Sequence, residues 1–120
     1  MIWFKKKQRS PEKIKVKRIS FIREQDGVPE QKLKSALVIL FQDSKSVISA
    51  YLARVDYGNS EEINVALCIR SEKVKDIKLQ EKAARIFSDR FGSHEHLDII
   101  FLRDDQETDL KKVCTAFYER

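Results

Sequence analysis

The sequence predicts a single α+β domain with a ferredoxin-like β-α-β-β-α-β antiparallel sheet and an additional C-terminal helix. Two long segments carry apolar residues at helical spacing, and short apolar runs precede and follow each of them. A turn signal at residues 57–60 joins the two middle runs as a hairpin. This order of elements is that of the split βαβ arrangement, and 120 residues suit one domain.

The first strand and the first helix are separated by a short polar turn. We assign the strand to Ile19–Arg23, and Asp26-Gly27 marks the turn. Pro29 suits the first helical position, so we expect the helix to run from there to about Gln42. Its apolar residues are Leu33, Ala36, Leu37, Leu40 and Phe41.

The two middle strands are apolar on both faces. They are predicted at Val47–Asp56 and Ile63–Arg70, joined by Tyr57-Gly58-Asn59-Ser60. Strands of this kind are covered on both sides. Right-handed crossovers would place both long helices on one face, so the C-terminal helix or a second copy of the chain has to cover the other.

Three further elements complete the prediction. A second long helix spans Lys75–Phe91 and ends at Gly92. A buried strand follows at Leu97–Leu102. The last helix is predicted at Gln106–Ala116, where Leu110, Val113 and Cys114 share one face.

The positive charge is concentrated at the N-terminus. Residues 1–23 contain nine Lys/Arg and one acid, whereas residues 24–120 contain 15 Lys/Arg and 18 Asp/Glu. We therefore divide the chain into a basic arm, residues 1–17, and a slightly acidic domain, residues 18–120. Nucleic-acid binding is disfavoured because the folded part lacks a basic surface. Trp3 and Phe4 beside Lys5–Lys7 give the arm a means of contacting an anionic membrane surface.

Composition also bears on the cellular compartment. No apolar run approaches the ~18 residues that a membrane span needs, and no signal peptide is recognisable. Cys68 and Cys114 lack metal-ligand spacing and fall at core-facing positions, which predicts buried, reduced thiols. We expect a cytoplasmic protein.

The turn between the first strand and the first helix is the candidate partner-binding segment. Its polar side chains exceed what a plain connector requires. They can cap the helix and bond the loop backbone, recognise a protein partner, or act as a carboxylate pair in acid–base chemistry. No nucleophile-and-base set accompanies them, so we expect a binding protein rather than an enzyme. The candidate residues are Glu24, Gln25, Asp26, Gly27 and Glu30.

The two histidines form a weaker candidate site. His94 and His96, with Asp98, could hold zinc if Glu24 or Asp26 supplied a further ligand. The alternative is a solvated connector after Gly92 whose side chains cap neighbouring backbone groups. We assign no metal and no cofactor.

Four segments of the chain resemble the C-terminal domain of the enhanced serine sensitivity (SseB-type) family of bacterial proteins. They are residues 19–34, 50–55, 91–102 and 113–118. The resemblance implies a small bacterial α+β domain without an established biochemical activity. Members of that family often carry a further N-terminal domain, where this chain has the basic arm.

Taken together, these observations predict a cytoplasmic bacterial domain that acts by protein–protein interaction, as a binding or regulatory module. The expected partner is another protein, with a homodimer as a further possibility. The alternative is a metal- or small-ligand-binding protein, or an enzyme, that uses segments 24–30 and 94–98.

Overall fold

The computed structural model describes residues 19–58, 64–73 and 75–120. The predicted basic arm therefore lies outside the described residues, as does part of the predicted hairpin turn. The elements are β1 (Ser20–Glu24), α1 (Val28–Asp43), β2 (Val47–Asp56), β3 (Asn64–Ser71), α2 (Ile77–Phe91), β4 (Asp98–Phe101), α3 (Asp104–Leu110) and β5 (Tyr118–Glu119).

The five strands form a mixed sheet in the order β1-β2-β3-β4, with β5 paired to β2. The pairs β1–β2, β2–β3 and β2–β5 are antiparallel, whereas β3–β4 is parallel. The α+β class is confirmed, but the antiparallel ferredoxin-like order is not. The two-sided apolar pattern explains the difference: β2 and β3 are both central here, whereas a ferredoxin-like order would leave one strand of this hairpin at an edge.

One edge of β2 is shared by two strands from opposite ends of the described chain. β1 pairs with its C-terminal half, where Glu24 lies opposite Ala53. β5 pairs with its N-terminal half, where Tyr118 lies opposite Ala50. The amide of Gln25 donates to the carbonyl of Leu52 at 2.9 Å, between the two strands. We call this arrangement the split edge.

Helices cover the two faces of the sheet unequally. α1 and α2 pack on one face, as predicted, through a buried apolar cluster. It contains Leu33, Leu37, Phe41, Val47, Ala50, Leu52, Val65, Leu67, Ile69, Leu79, Ala83 and Phe87. On the opposite face, Leu110 and Cys114 pack over a second cluster with Tyr51, Ala53, Val55, Ala66, Cys68 and Leu102. The C-terminal segment thus supplies the second cover that the two-sided strands require.

The last helix is shorter than predicted. It ends at Leu110 rather than near Ala116, and the chain then passes through a turn into β5. The amide of Phe117 donates to the carbonyl of Ala50 at 2.9 Å, so the backbone has to leave the helix to reach the edge of β2. The helical spacing of Leu110 and Cys114 reflects packing on the sheet and not a continuing helix.

Two further predictions concern the thiols and the membrane. Cys68 and Cys114 are both buried and unpaired, as expected, and burial raises the pKa of both thiols. Among the described residues, no helix has both the length and the apolar composition needed to cross a bilayer.

Candidate functional site

The turn from β1 into α1, residues 24–30, is called the acidic turn below. Its residues differ sharply in burial: Gln25 and Glu30 are only 4% and 0% exposed, whereas Asp26 and Gly27 are exposed. Gly27 caps α1 with a φ of 142°, which favours glycine over any residue with a side chain. Pro29 lies in the first turn of the helix, where a missing N–H costs nothing.

Gln25 connects the turn to the sheet. Its Oε1 accepts a hydrogen bond from Arg54 Nε at 2.6 Å, and its Nε2 donates to Glu30 Oε2 at 2.7 Å. The other carboxyl oxygen, Glu30 Oε1, is buried without a partner among the described residues. Burial raises the pKa of Glu30 by more than the hydrogen bond from Gln25 lowers it.

Glu24 ties the turn to the C-terminal segment. Lys34 Nζ donates to Glu24 Oε2 at 2.9 Å, and the amide of Thr115 donates to Glu24 Oε1 at 3.2 Å. Lys34 is 5% exposed and lies 6.0 Å from the ring centroid of Phe117. Glu24 therefore holds the junction of the split edge together.

Asp26 is the exposed carboxylate of the turn. It accepts hydrogen bonds from Gln31 Nε2 and from the amide of Gly27, and Lys34 Nζ lies 3.7 Å away. These contacts lower the pKa of Asp26, and the hydrogen bond from Gln31 contributes most. Its carboxylate is charged and points toward solvent, next to the start of α1.

A shallow groove runs from the acidic turn along the outward face of α1, which is the face opposite the core. Its first part, of about 420 Å³, begins at Asp26 and Gly27, and its second, of about 400 Å³, ends at Ile39 and Arg90. The two parts share Lys32 and Ser35. We call it the α1 groove; its lining residues are Asp26, Gly27, Val28, Gln31, Lys32, Ser35, Ala36, Ile39 and Arg90.

Two large apolar side chains mark the ends of the α1 groove. Val28 and Ile39 are each 70% exposed. They are eleven positions apart on one helix face, which corresponds to roughly 16 Å along the axis. Among the described residues these are the most exposed large apolar side chains. Single exposed apolar residues are common on protein surfaces; these two differ in sharing one helix face and lining one groove.

The structure thus separates the five candidate residues of the turn. Asp26 and Gly27 line the α1 groove. Gln25 and Glu30 are inside the protein, and Glu24 is committed to Lys34 and Thr115. The exposed Val28 and Ile39 were missed, because Val28 precedes the predicted helix and Ile39 stands outside the apolar stripe that predicted it.

The segment 94–98 lies at the far edge of the sheet from the acidic turn. Asp98, Ala66, Ala53 and Glu24 are successive partners across four strands. Three strand spacings of roughly 4.8 Å separate Asp98 from Glu24, or about 14 Å between backbones. Neither Glu24 nor Asp26 can therefore complete a metal site with the histidines.

The histidine segment makes local contacts of its own. His96 Nε2 is hydrogen-bonded to Asp98 Oδ1, and the hydroxyl of Tyr57 donates to Asp98 Oδ2 at 2.7 Å. His94 is exposed. Within the ranges the structure describes, no three His, Cys, Asp or Glu side chains are grouped so that they could hold a metal ion.

A polar cluster that no sequence pattern predicted lies on the α3 side of the sheet. Glu107 Oε2 accepts hydrogen bonds from Ser49 Oγ at 2.7 Å and from the hydroxyl of Tyr51 at 2.6 Å. Arg70 Nε lies 3.8 Å from Glu107 Oε1 and also pairs with Asp104. We call Ser49, Tyr51 and Glu107 the hydroxyl–carboxylate cluster. Glu107 stands in an acidic run whose pattern indicates only a solvated helix, so no sequence signal marked it.

Comparison with known proteins identifies the family. The sequence profile of the SseB protein C-terminal domain matches residues 22–120. Neither the curated proteins nor the solved structures contain a match to this chain. Because the matched region covers most of the chain, the protein belongs to the SseB C-terminal domain family.

Proposed function

We propose that this member of the SseB C-terminal domain family is a protein-binding module that recognises its partner through the α1 groove. The exposed part of the acidic turn, Asp26 and Gly27, forms one end of that surface. The proposal retains the expected protein–protein interaction but moves its centre from the turn onto α1.

The observation that carries the proposal is the exposure of Val28 and Ile39 at the two ends of one groove. Burying a Val or Ile side chain against a partner is worth roughly 1.5–3 kcal/mol. Two such side chains at a fixed separation raise the affinity of a contact surface and fix the position of the partner along it. Binding energy at interfaces is concentrated in a few residues of this kind.

The buried members of the acidic turn support the surface from below. Arg54, Gln25 and Glu30 form a chain of hydrogen bonds from β2 into the first turn of α1. Lys34 and Glu24 fix the same helix to the C-terminal segment. These contacts hold the start of α1, and with it Val28, in one position on the sheet. A binding surface held in place loses less entropy on association.

Affinity capture with the tagged chain tests the proposal. The Val28→Asp, Ile39→Asp double variant places charge at both ends of the groove. Ile77→Asp is the control for a carboxylate introduced at an exposed apolar position, since Ile77 is 60% exposed on α2 and does not line the groove. We expect a near-stoichiometric protein partner that is lost with the double variant and retained with the control.

Two results would contradict the proposal. A partner retained by the double variant would place the binding surface elsewhere. A partner lost equally with Ile77→Asp would point to a general effect of added acidic charge. Circular dichroism and thermal unfolding of all three proteins should show that the fold is preserved, because all three side chains are exposed.

A further inference from the structure

The second part of the α1 groove carries two positive charges. Lys32 and Arg90 both line its second part, beside Ser35, Ala36 and Ile39. Neither cation has an ion-pair partner among the residues that the structure describes. This contrasts with Lys34, two positions further along α1 on its buried side, which is bound to Glu24.

The one acidic side chain among the residues that line the groove does not neutralise these cations. Asp26 lies at the turn end and already accepts hydrogen bonds from Gln31 and Gly27. Its nearest cation is Lys34 at 3.7 Å. Within the described ranges, Lys32 and Arg90 are thus unpaired cations beside exposed apolar side chains of the groove, and complementarity calls for carboxylates on the partner.

The geometry of the groove favours a helical partner. Val28, Lys32, Ser35 and Ile39 follow the i, i+4, i+7, i+11 spacing of a single helix face. A second helix that packs along this face would carry its contact residues at the same spacing on its own surface. Ser35 is exposed and short, and Ala36 is small, so the middle of the groove leaves room for close approach.

A second copy of this chain is a poor occupant. An antiparallel α1 pair that places Val28 of one copy opposite Ile39 of the other also places Lys32 opposite Ser35. The two lysines would then lie within one turn of each other near the dyad. Like charges at this spacing repel, and the outward face of α1 between Val28 and Ile39 has no acid to relieve them.

We infer that the partner of the α1 groove is an acidic amphipathic helix on another protein. It presents two apolar side chains about three turns apart, which contact Val28 and Ile39, and carboxylates between them that pair with Lys32 and Arg90. This inference rests on the proposed function and adds the chemistry of the partner to it.

Two synthetic helical peptides test the inference. Both carry leucines eleven positions apart on one face; the first has three glutamates between them on that face, and the second has three lysines. Their binding to the full chain is measured by fluorescence anisotropy at low and high salt. We expect at least tenfold tighter binding of the acidic peptide, with a preference that shrinks as salt rises.

A charge-reversal variant of the protein provides a second test of the inference. Lys32→Glu with Arg90→Glu should abolish the preference for the acidic peptide. Lys111→Glu with Lys112→Glu is the matched control, since it changes the net charge equally at exposed positions beyond the C-terminal end of α3. The control should keep the preference.

The inference is overturned if the peptides bind equally, if neither binds, or if the reversed protein still prefers the acidic peptide. Self-association of the chain that is abolished by Val28→Asp with Ile39→Asp would also overturn it, in favour of a second copy. A different result contradicts the proposed function: a protein partner that is still captured by the Val28→Asp, Ile39→Asp variant.

Discussion

The acidic turn and the hydroxyl–carboxylate cluster each withdraw a carboxyl group from solvent, fully at Glu30 and partly at Glu107, and the pKa values of the two groups shift in opposite directions. Glu30 has one donor, the amide of Gln25, and a second oxygen without a partner among the described residues. Glu107 is half-buried, which opposes its ionisation, but hydrogen bonds from two hydroxyls and the charges of Lys111 and Arg70 outweigh that cost. Its pKa is lowered, whereas that of Glu30 is raised.

The two carboxyl groups differ in both exposure and donors: Glu30 is fully buried with one side-chain donor, whereas Glu107 is half-buried and accepts from two hydroxyls. Glu107 is a charged acceptor that holds α3 on β2 through Ser49 and Tyr51. Glu30 has a raised pKa and therefore keeps its proton to higher pH than an ordinary glutamate does. It lies below the proposed binding surface. The two sites therefore make distinct predictions about stability.

Loss of the carboxylate at Glu107 should have the largest effect. Glu107→Ala leaves the hydroxyls of Ser49 and Tyr51 without their acceptor, and Tyr51 is almost fully buried. We expect a loss of about 3 kcal/mol in the free energy of unfolding, measured in urea. Thr108→Ala, at an exposed neighbouring position of α3, should change it by less than about 0.5 kcal/mol. Equal effects of the two substitutions would show that the cluster contributes little.

Breaking the hydrogen-bond chain of the acidic turn should have a smaller effect. Gln25→Leu removes the acceptor of Arg54 and the donor to Glu30. We expect a loss of about 2 kcal/mol, because the carboxyl group of Glu30 is then buried without a partner. Gln31→Leu is the control, since Gln31 is exposed and should cost less than about 0.5 kcal/mol. A result near zero for Gln25→Leu would mean that the chain does not fix α1.

The opposite pKa shifts should appear as opposite pH dependences. Because the pKa of Glu30 is raised, the native protein loses stability as pH rises above the ordinary glutamate value of 4.5. Asp26 adds to this shift and Lys34 opposes it. Glu30→Gln should therefore gain in stability relative to the native protein as pH rises above 4.5.

Glu107→Gln should show the reverse behaviour. The lowered pKa of Glu107 stabilises the native protein above pH 4.5, and that contribution is lost as pH falls through the folded-state pKa. The deficit of Glu107→Gln should thus shrink in acid. We expect both effects to be smaller than those of the two preceding substitutions. Urea unfolding at a series of pH values measures them, and parallel curves for the two variants would contradict the comparison.

Local sequence patterns predicted the long elements well. β2 was predicted at the observed bounds, and α1 and α2 within two residues. The spacing of their apolar residues reflects burial against a neighbouring layer. It can be recognised in the sequence without knowing which element forms that layer. Glycine and proline marked the ends correctly, at Gly27, Pro29 and Gly92.

Long-range pairing could not be predicted in the same way. The order of strands depends on contacts between segments far apart in sequence, and β5 consists of two residues that have no recognisable strand pattern. The candidate site shows the same limit. Glu24 through Glu30 were identified as unusual, yet only the fold shows that Gln25 and Glu30 are buried, with Gln25 bonded to both Arg54 and Glu30.

The split edge also has a consequence for how the domain is made. β1 is synthesised before β2 and can pair with it early, but β5 follows only after β3, β4 and the remaining helices. Until then the carbonyls of Ile48 and Ala50, which accept from Arg120 and Phe117 in the finished fold, lie on an open strand edge. An open edge invites pairing with other chains. The nascent domain is therefore most vulnerable to aggregation just before its final segment docks, and a chaperone that shields this half of β2 would act at that moment.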